Sequence, residues 1–200
     1  MPKIVDHEEK RERIAEAAWR VIMKYGMKGA TVRKIAKEAG MSPGSLRHYF
    51  PSQGELYQYS LDLVKARVRR RIERILSEKH PLPEAIYRIL LQLLPMDRES
   101  RMEMEVWFHS LHYFQGKGEP IHDNILPLVE ELVKTLKKFH LLNENLDPAE
   151  EAERLYAIID GMALHMLMDP ERLTPERAAH LLHSHLQSMI KDEAVSPNLP

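Results

Sequence analysis

The chain has 200 residues, which suits one domain or a small domain joined to a larger one. Apolar residues make up 44% of it, ample for a buried core, and the absence of cysteine excludes disulfides and thiolate metal sites and fits a reducing cytoplasm. The net charge of −1 conceals a split: residues 1–75 carry 17 Lys and Arg against 9 Asp and Glu, whereas the remainder carries 12 against 21. A basic first third (net +8) and an acidic remainder (net −9) imply one module that binds a polyanion and one part that avoids it. The opening MPKIVDHEEKRER lacks the apolar centre of a secretory signal, and no run approaches the length of a membrane span. A soluble cytoplasmic protein with no membrane partner is expected.

Residues 7–25 predict a first helix, buried along Ile14, Ala17, Ala18, Val21, Ile22 and Tyr25 and closed by Gly26. The stretch 31–50, TVRKIAKEAGMSPGSLRHYF, then predicts two short helices around a tight turn. Thr31 is the expected N-cap of the first, with Ile35, Ala36 and Ala39 on its inner face and Gly40 as its left-handed stop. Ser42 caps the second, with Pro43 at the first helical position, where a missing amide hydrogen costs nothing. Leu46 and Phe50 give it a buried edge, and Pro51 ends it. Helix, glycine-containing turn and short helix is the pattern of a DNA-reading helix-turn-helix. An ordinary helical hairpin in a bundle shares the spacing, but the residues left on the outer face favour DNA. Pro43, Gly44 and Ser45 offer a small-residue entry, and Arg47, His48 and Tyr49 offer the cationic and hydrogen-bonding groups that grooves and phosphates need.

Ser52-Gln53-Gly54-Glu55 has the form of a capping box and opens a long helix to about Leu76. Its basic run, Lys65 to Arg71, is read as a solvated face with alkyl stems laid over core. Pro81 and Pro83 mark a break, after which helices follow at 84–94, 97–115, 120–142 (with a kink at Pro127), 148–168 and 175–191. The loop Gly116-Lys117-Gly118 separates two of them, and the tail from 194 onward is expected to fray. Helix 97–115 carries apolar residues in every direction and is expected to be buried all round. The fold class is therefore all-α: an N-terminal three-helix unit at 1–55 joined by a long helix to a helical bundle within 56–200.

The helix-turn-helix resembles the TetR-type transcriptional repressors over roughly residues 8–68. The matching features are Tyr25-Gly26, Thr31-Val32-Arg33-Lys34-Ile35-Ala36, Ala39 through Leu46, Phe50 and Ser52. The resemblance implies that Arg33 reaches a base edge and that Pro43, Gly44, Ser45 and His48 line the groove. Arg47 stands where the family usually has a phosphate-binding tyrosine, and Gln53 where it usually has a phosphate-binding lysine. The candidate DNA contacts are thus Thr31, Arg33, Ser42, Pro43, Gly44, Ser45, Arg47, His48, Tyr49 and Gln53.

In the C-terminal part, Ile159-Asp160-Gly161-Met162-Ala163, Pro170 and Thr174-Pro175-Glu176 look similar to the branch that contains the betaine-responsive repressors. The resemblance implies a homodimer in which the last two helices pair with their twins, through Leu155, Ile159, Met162, Ala178, Leu182, Leu186 and Met189. It also implies a small-molecule pocket. The candidate lining is Met102, Trp107, Phe108, Leu111, Tyr113, Met162 and Met166, adaptable apolar walls, with Glu103 and His165 as polar groups that orient a ligand. The histidine pairs His109/His112 and His180/His183 have chelating spacing, but a closed metal site needs three or four convergent ligands, so no metal is expected. No phosphate loop or nucleophile elbow appears, and neither cofactor nor enzymatic activity is expected. Together these features imply a homodimeric regulator on a double-stranded, palindromic operator, released by a small-molecule effector; a helical adaptor without operator specificity is the alternative.

Overall fold

A computed structural model describes residues 3–116 and 125–191. Within them the chain forms α1 (Lys3–Gly29), α2 (Val32–Glu38), α3 (Pro43–Tyr49), α4 (Gln53–Ser77), α5 (Leu82–Leu91), α6 (Arg98–Gln115), α7 (Ile125–Lys138), α8 (Pro148–Met168) and α9 (Pro175–Met189). The described residues contain no named strand; a single antiparallel bridge joins Leu142 and Ile190. The fold is all-α. It divides into two compact units, one of α1 to α3, α4 as far as Arg69 and α6 from Met102, the other of Arg70–Arg101 and α7 to α9.

In the first unit, α1 packs on α2 and α2 on α3. Gly26 lies in the left-handed region at φ 67°, so α1 is broken there as its sequence foretells, and a further helical stretch runs to Gly29. The core takes Ile14, Trp19 and Ile22 from α1, Ile35 and Ala36 from α2, Leu46 from α3, and Leu56, Tyr57 and Leu61 from α4. Arg67 pairs with Glu16 and lies 5.0 Å from the Trp19 ring, so a guanidinium covers the indole face while its charge is met. The serine half of the expected capping box forms at the start of α4: the Glu55 amide donates to Ser52 Oγ at 3.1 Å, while the Glu55 carboxylate accepts from the Ser52 hydroxyl, at 3.1 Å, in place of its backbone amide.

In the second unit, α7 packs on α8, α5 on α7 and α9, and α8 on α9. Asp147 caps α8 by accepting from the Ala149 and Glu150 amides at 2.9 and 3.1 Å, and Thr174 caps α9 by accepting from the Arg177 amide at 3.3 Å. At the other end of α8, the Arg101 guanidinium donates to the carbonyls of Met166 and Leu167 at 3.0 and 2.9 Å, supplying both hydrogen bonds and the positive charge that a helix C-terminus favours.

Several boundaries differ from those expected. Helix α5 starts two residues earlier, at Leu82, because Pro81 and Pro83 can occupy a first turn, and it gives way to turn at Gln92. Pro127 lies in the first described turn of α7, and residues 120–124 of that expected helix are outside the described residues, as are Lys117 and Gly118 of the expected loop and the expected frayed tail. Helix α7 ends at Lys138, followed by His140 in the left-handed region at φ 58°. Nor is α6 buried all round. Glu103, Val106, Trp107, Ser110 and Phe114 form one buried stripe at helical spacing, while Met102, Met104, Phe108, Leu111 and Tyr113 are only half-buried.

Helix α6 opens on a reciprocal cap. The Asp97 carboxylate accepts from the Ser100 amide at 2.7 Å and from its hydroxyl at 2.8 Å, and Ser100 Oγ accepts from the Asp97 amide at 2.9 Å. The Ser100 amide above all, helped by the Ser100 hydroxyl, the Glu99 amide and the charge of Arg71, holds the Asp97 carboxyl below its ordinary value. A carboxyl with a depressed folded pKa stabilises above its unfolded value, about 4, and that contribution disappears as pH falls through the lower folded value. Asp97→Ala should therefore lower the melting temperature at pH 7, by the equivalent of about 0.5–2 kcal/mol for a lost cap, and the difference from wild type should shrink as pH falls from about 5 into strong acid. Melts across that range check it; a difference independent of pH would show that the carboxylate is not what stabilises.

Candidate nucleic-acid interface

Helices α2 and α3 meet at a turn built from local chemistry. Thr31 Oγ1 accepts from the Lys34 amide at 3.4 Å, and Gly40 adopts φ 68°. The chain turns back at once, because Ser42 Oγ accepts from the Ser45 amide at 3.0 Å and Pro43 occupies the first helical turn. Leu46 and Phe50, each 1% exposed, fix the inner edge of α3, and Ile35 and Ala36 fix that of α2. Arg20 of α1 ties down the end of α2 through Glu38 at 2.7 Å.

With the inner edges committed, the outer face is set. Thr31, Arg33, Ser42, Pro43, Gly44, Ser45, Arg47 and His48 are all exposed. Among the described residues neither Arg33 nor Arg47 has an acidic partner, so both guanidiniums are available to an anion. Tyr49 is half-buried, its ring 5.0 Å from His7 of α1 and 5.6 Å from His48. Gln53 is turned inward: its Nε2 donates to the Ala30 carbonyl at 2.7 Å and to the Tyr57 hydroxyl at 2.5 Å. A cleft of about 190 Å³ separates the two departures from the family pattern, floored by Val32, Ile35, Leu46, Phe50 and Leu56 and rimmed by Arg47, Ser52 and Gln53.

Gly44 needs no glycine for the sake of its own chain. A Cβ there would meet only Ser42 Oγ, at 3.8 Å, an ordinary contact. Its smallness in a seven-residue helix is a cost to stability that no described contact within the protomer calls for. The basic side also extends beyond the residues legible in sequence. Tyr25, expected in the buried stripe of α1, is 48% exposed, with Lys34 Nζ 4.1 Å and Lys24 Nζ 5.3 Å from its ring. It stands at the last helical position before the break at Gly26, where the core-facing stripe of α1 has already ended.

The candidate residues of the other two sites are distributed as follows. Met102, Glu103, Trp107, Phe108, Leu111 and Tyr113 lie on α6 in the first unit; Met162, His165 and Met166 lie on α8 in the second. Glu103, Trp107 and Met166 are buried, and His165 is exposed. Lys65 Nζ sits 5.7 Å from the Trp107 ring, so the indole already faces an ammonium of its own chain. Of the expected seam, Leu155, Ile159, Ala178, Leu182, Leu186 and Met189 are at most 2% exposed within the single chain, and Met162 is half-buried. The six are protomer core and have no surface left to give to a twin. The exposed stripe of α8 and α9 runs instead through Ala157, Leu164, Met168 and Leu181. Among the described residues no group of three or more His, Asp or Glu is placed to hold a metal ion.

Gly44→Ala should leave the melting temperature unchanged or slightly raised, since alanine is the better helix former, yet weaken binding to duplex DNA by crowding the approach. Arg33→Ala should cost about 1–3 kcal/mol if its base contact is lost. Fluorescence anisotropy with labelled duplex beside a thermal melt checks both; wild-type DNA affinity in the two variants would move the interface elsewhere.

Comparison with known proteins agrees with this geometry. Residues 14–59 match the bacterial regulatory proteins of the tetR family, and residues 83–191 match the C-terminal family of BetI-type transcriptional repressors. The HTH-type transcriptional regulator PksA of Bacillus subtilis (strain 168) is 42% identical over 196 residues, 96% of each chain. The HTH-type transcriptional regulator BetI of Escherichia coli (strain K12) is 25% identical over 201 residues, 93% of this chain and 98% of its own. The fold is shared with a putative transcriptional regulator from Saccharomonospora viridis, solved in complex with choline: TM-score 0.74 and 22% identity over 92% of this chain and 99% of that one. Matched in both parts, and closely related to PksA along nearly its whole length, the chain belongs to the tetR family of bacterial transcriptional regulators, with a C-terminal part of the BetI type.

Proposed function

We propose that this regulator is a homodimeric repressor that reads a palindromic operator with α2 and α3 and is released from it by a small molecule. The observation that carries the DNA reading is the outer face of those helices: two guanidiniums, Arg33 and Arg47, with no acidic partner among the described residues, beside a glycine that no contact described in the protomer requires. In this reading Arg33, Ser45 and His48 address base edges, Arg47 takes the phosphate position, and Thr31, Ser42, Pro43 and Gly44 shape the approach. Residues 1–55 serve as the reading head and 56–200 as the effector and dimerisation domain. No described helix is long and apolar enough to cross a membrane, and a protein that acts on DNA works in the cytoplasm.

Two copies are needed because a palindrome presents two half-sites. The face supported for pairing is the exposed stripe of α8 and α9. Leu164 and Leu181 are 43% and 42% exposed and Met168 is 74% exposed. On the same face of α8, a Cβ on Gly161 would meet nothing within 4 Å, so a helix-weakening glycine stands where the described chain leaves room for a second chain to press close.

Effector release follows if the ligand prefers the arrangement that cannot bind DNA; a ligand indifferent to the two arrangements shifts nothing. Helix α6 is the candidate wall, and the relatives support a ligand: one structural neighbour holds choline and another, SmeT, holds triclosan. Here the effector is a small molecule of a class still to be found.

Selection of genomic fragments by the purified protein tests the DNA reading; recovery of random sequence would sink it. For assembly, wild type should sediment as a dimer at micromolar concentration. Leu164→Glu with Leu181→Glu should give a folded monomer, because both positions are solvent-facing in the protomer, whereas Leu182→Glu should unfold it by burying a carboxylate. A wild type that remains monomeric at high concentration rules the dimer out. Trp107→Ala tests the effector wall: retained melting temperature with lost release by an identified inducer supports it, and a collapsed melt makes Trp107 plain core.

A further inference from the structure

We propose that Gln53 is a positioning residue, an internal clamp on the entrance to the helix-turn-helix that is set by the Tyr57 hydroxyl and backed by the Tyr113 ring. It holds protein, and the DNA backbone is gripped elsewhere. The inference rests on the reading that α2 and α3 face an operator.

The chemistry begins at Ala30. This residue is 1% exposed and immediately precedes the N-cap Thr31, so its carbonyl is the point from which α2 departs. A buried carbonyl needs a donor. Gln53, the first residue of α4, supplies it at 2.7 Å. The same Nε2 has a second hydrogen, which goes to the Tyr57 hydroxyl at 2.5 Å, four residues on and on the same face of α4. Both donors of the amide are therefore used within the protomer, and none remains for a phosphate.

Tyr57 is in turn held. It is 2% exposed, and burial raises its pKa, so the hydroxyl stays neutral as the clamp requires. Its ring meets Tyr113 of α6 edge-to-face, 4.9 Å between centroids at 83°, and Tyr113 meets Phe114 in the same manner at 5.3 Å. A chain of direct contacts thus runs from α6 through Tyr57 and Gln53 to Ala30, the residue just before the reading motif. Arg47, on the opposite rim of the cleft, is left as the group that meets the DNA backbone. Loss of the clamp should leave the charge on the face intact but let α2, and α3 packed on it, take several orientations. Discrimination should suffer before affinity for arbitrary DNA does.

The test uses the full-length protein, an operator fragment recovered by genomic selection, and a random duplex of equal length. Tyr57→Phe deletes one oxygen and keeps the ring on Tyr113; Gln53→Ala deletes the donor. Each should lower the operator-to-random affinity ratio by about three- to tenfold, the worth of one hydrogen bond, with random-duplex affinity unchanged. The double variant should be no worse than Gln53→Ala alone, because both changes break one device. Tyr113→Leu should move the ratio in the same direction. Melting temperatures taken alongside separate misplacement from unfolding, and Tyr57→Phe is the variant that keeps the test decisive if Gln53→Ala melts early. A wild-type ratio in Tyr57→Phe, or additive losses in the double variant, overturns the clamp while leaving the DNA reading in place. A wild-type protein with no operator preference overturns that reading, and the clamp with it.

Discussion

Helices α2 and α3 have seven residues each, two turns apiece, and helices that short do not persist in water. What they lack must come from outside them, and the first unit supplies it. Side-chain caps replace the missing partners of their first amides, Gly40 closes the first helix so tightly that the N-cap of the second stands two residues later, and Ile35, Ala36, Leu46 and Phe50 are fully buried. Arg20 and Glu38 add a tie from α1. Because stability is provided entirely from the inner side, the outer side is released from any packing duty. That is why a glycine, a proline, two serines and two arginines with no acidic partner among the described residues can sit on it together.

The same division of labour explains α1. Its half that faces the core is continuous and apolar, ending where Gly26 breaks the register. Just before the break, Tyr25 meets Lys34 of α2 through space in a contact that no helical repeat encodes. The Trp19 indole N–H has no acceptor among the described residues, and the Arg67 guanidinium over its ring, paired with Glu16, offsets part of that deficit.

What could be read from sequence was what is decided locally. Gly40, Ser42-Pro43, Ser52 with Glu55, Asp147-Pro148 and Thr174-Pro175 all act within three or four residues of themselves, and each stands where its chemistry puts it. The exposed candidates of the reading face were legible for the same reason: once Leu46 and Phe50 are inside, geometry fixes the rest. Faces shared between distant elements were not legible. Helix α8 carries two plausible apolar stripes, and the one with Leu155 and Ile159 went to the protomer because α7 and α9 lie against it. For α6, alternating Met and aromatic residues hid a buried stripe that includes Glu103 and Ser110, polar residues that a hydrophobic pattern discounts. Gln53 was read by analogy as a surface group, since its partner Ala30 is 23 residues away.

One small feature of the second unit bears on how that unit opens. The end of α9 is stitched to the segment after α7: the Asn143 amide donates to the Met189 carbonyl and the Lys191 amide to the Leu141 carbonyl, each at 2.9 Å, with the Asn143 side chain reaching the Ser188 carbonyl at 3.0 Å. Helix ends and loops ordinarily exchange their amide hydrogens first, by fraying one residue at a time. Here neither end can fray alone, since each holds the other. The Asn143 and Lys191 amides become a matched pair of clocks, exchanging at one shared rate that reports the detachment of α9 as a whole.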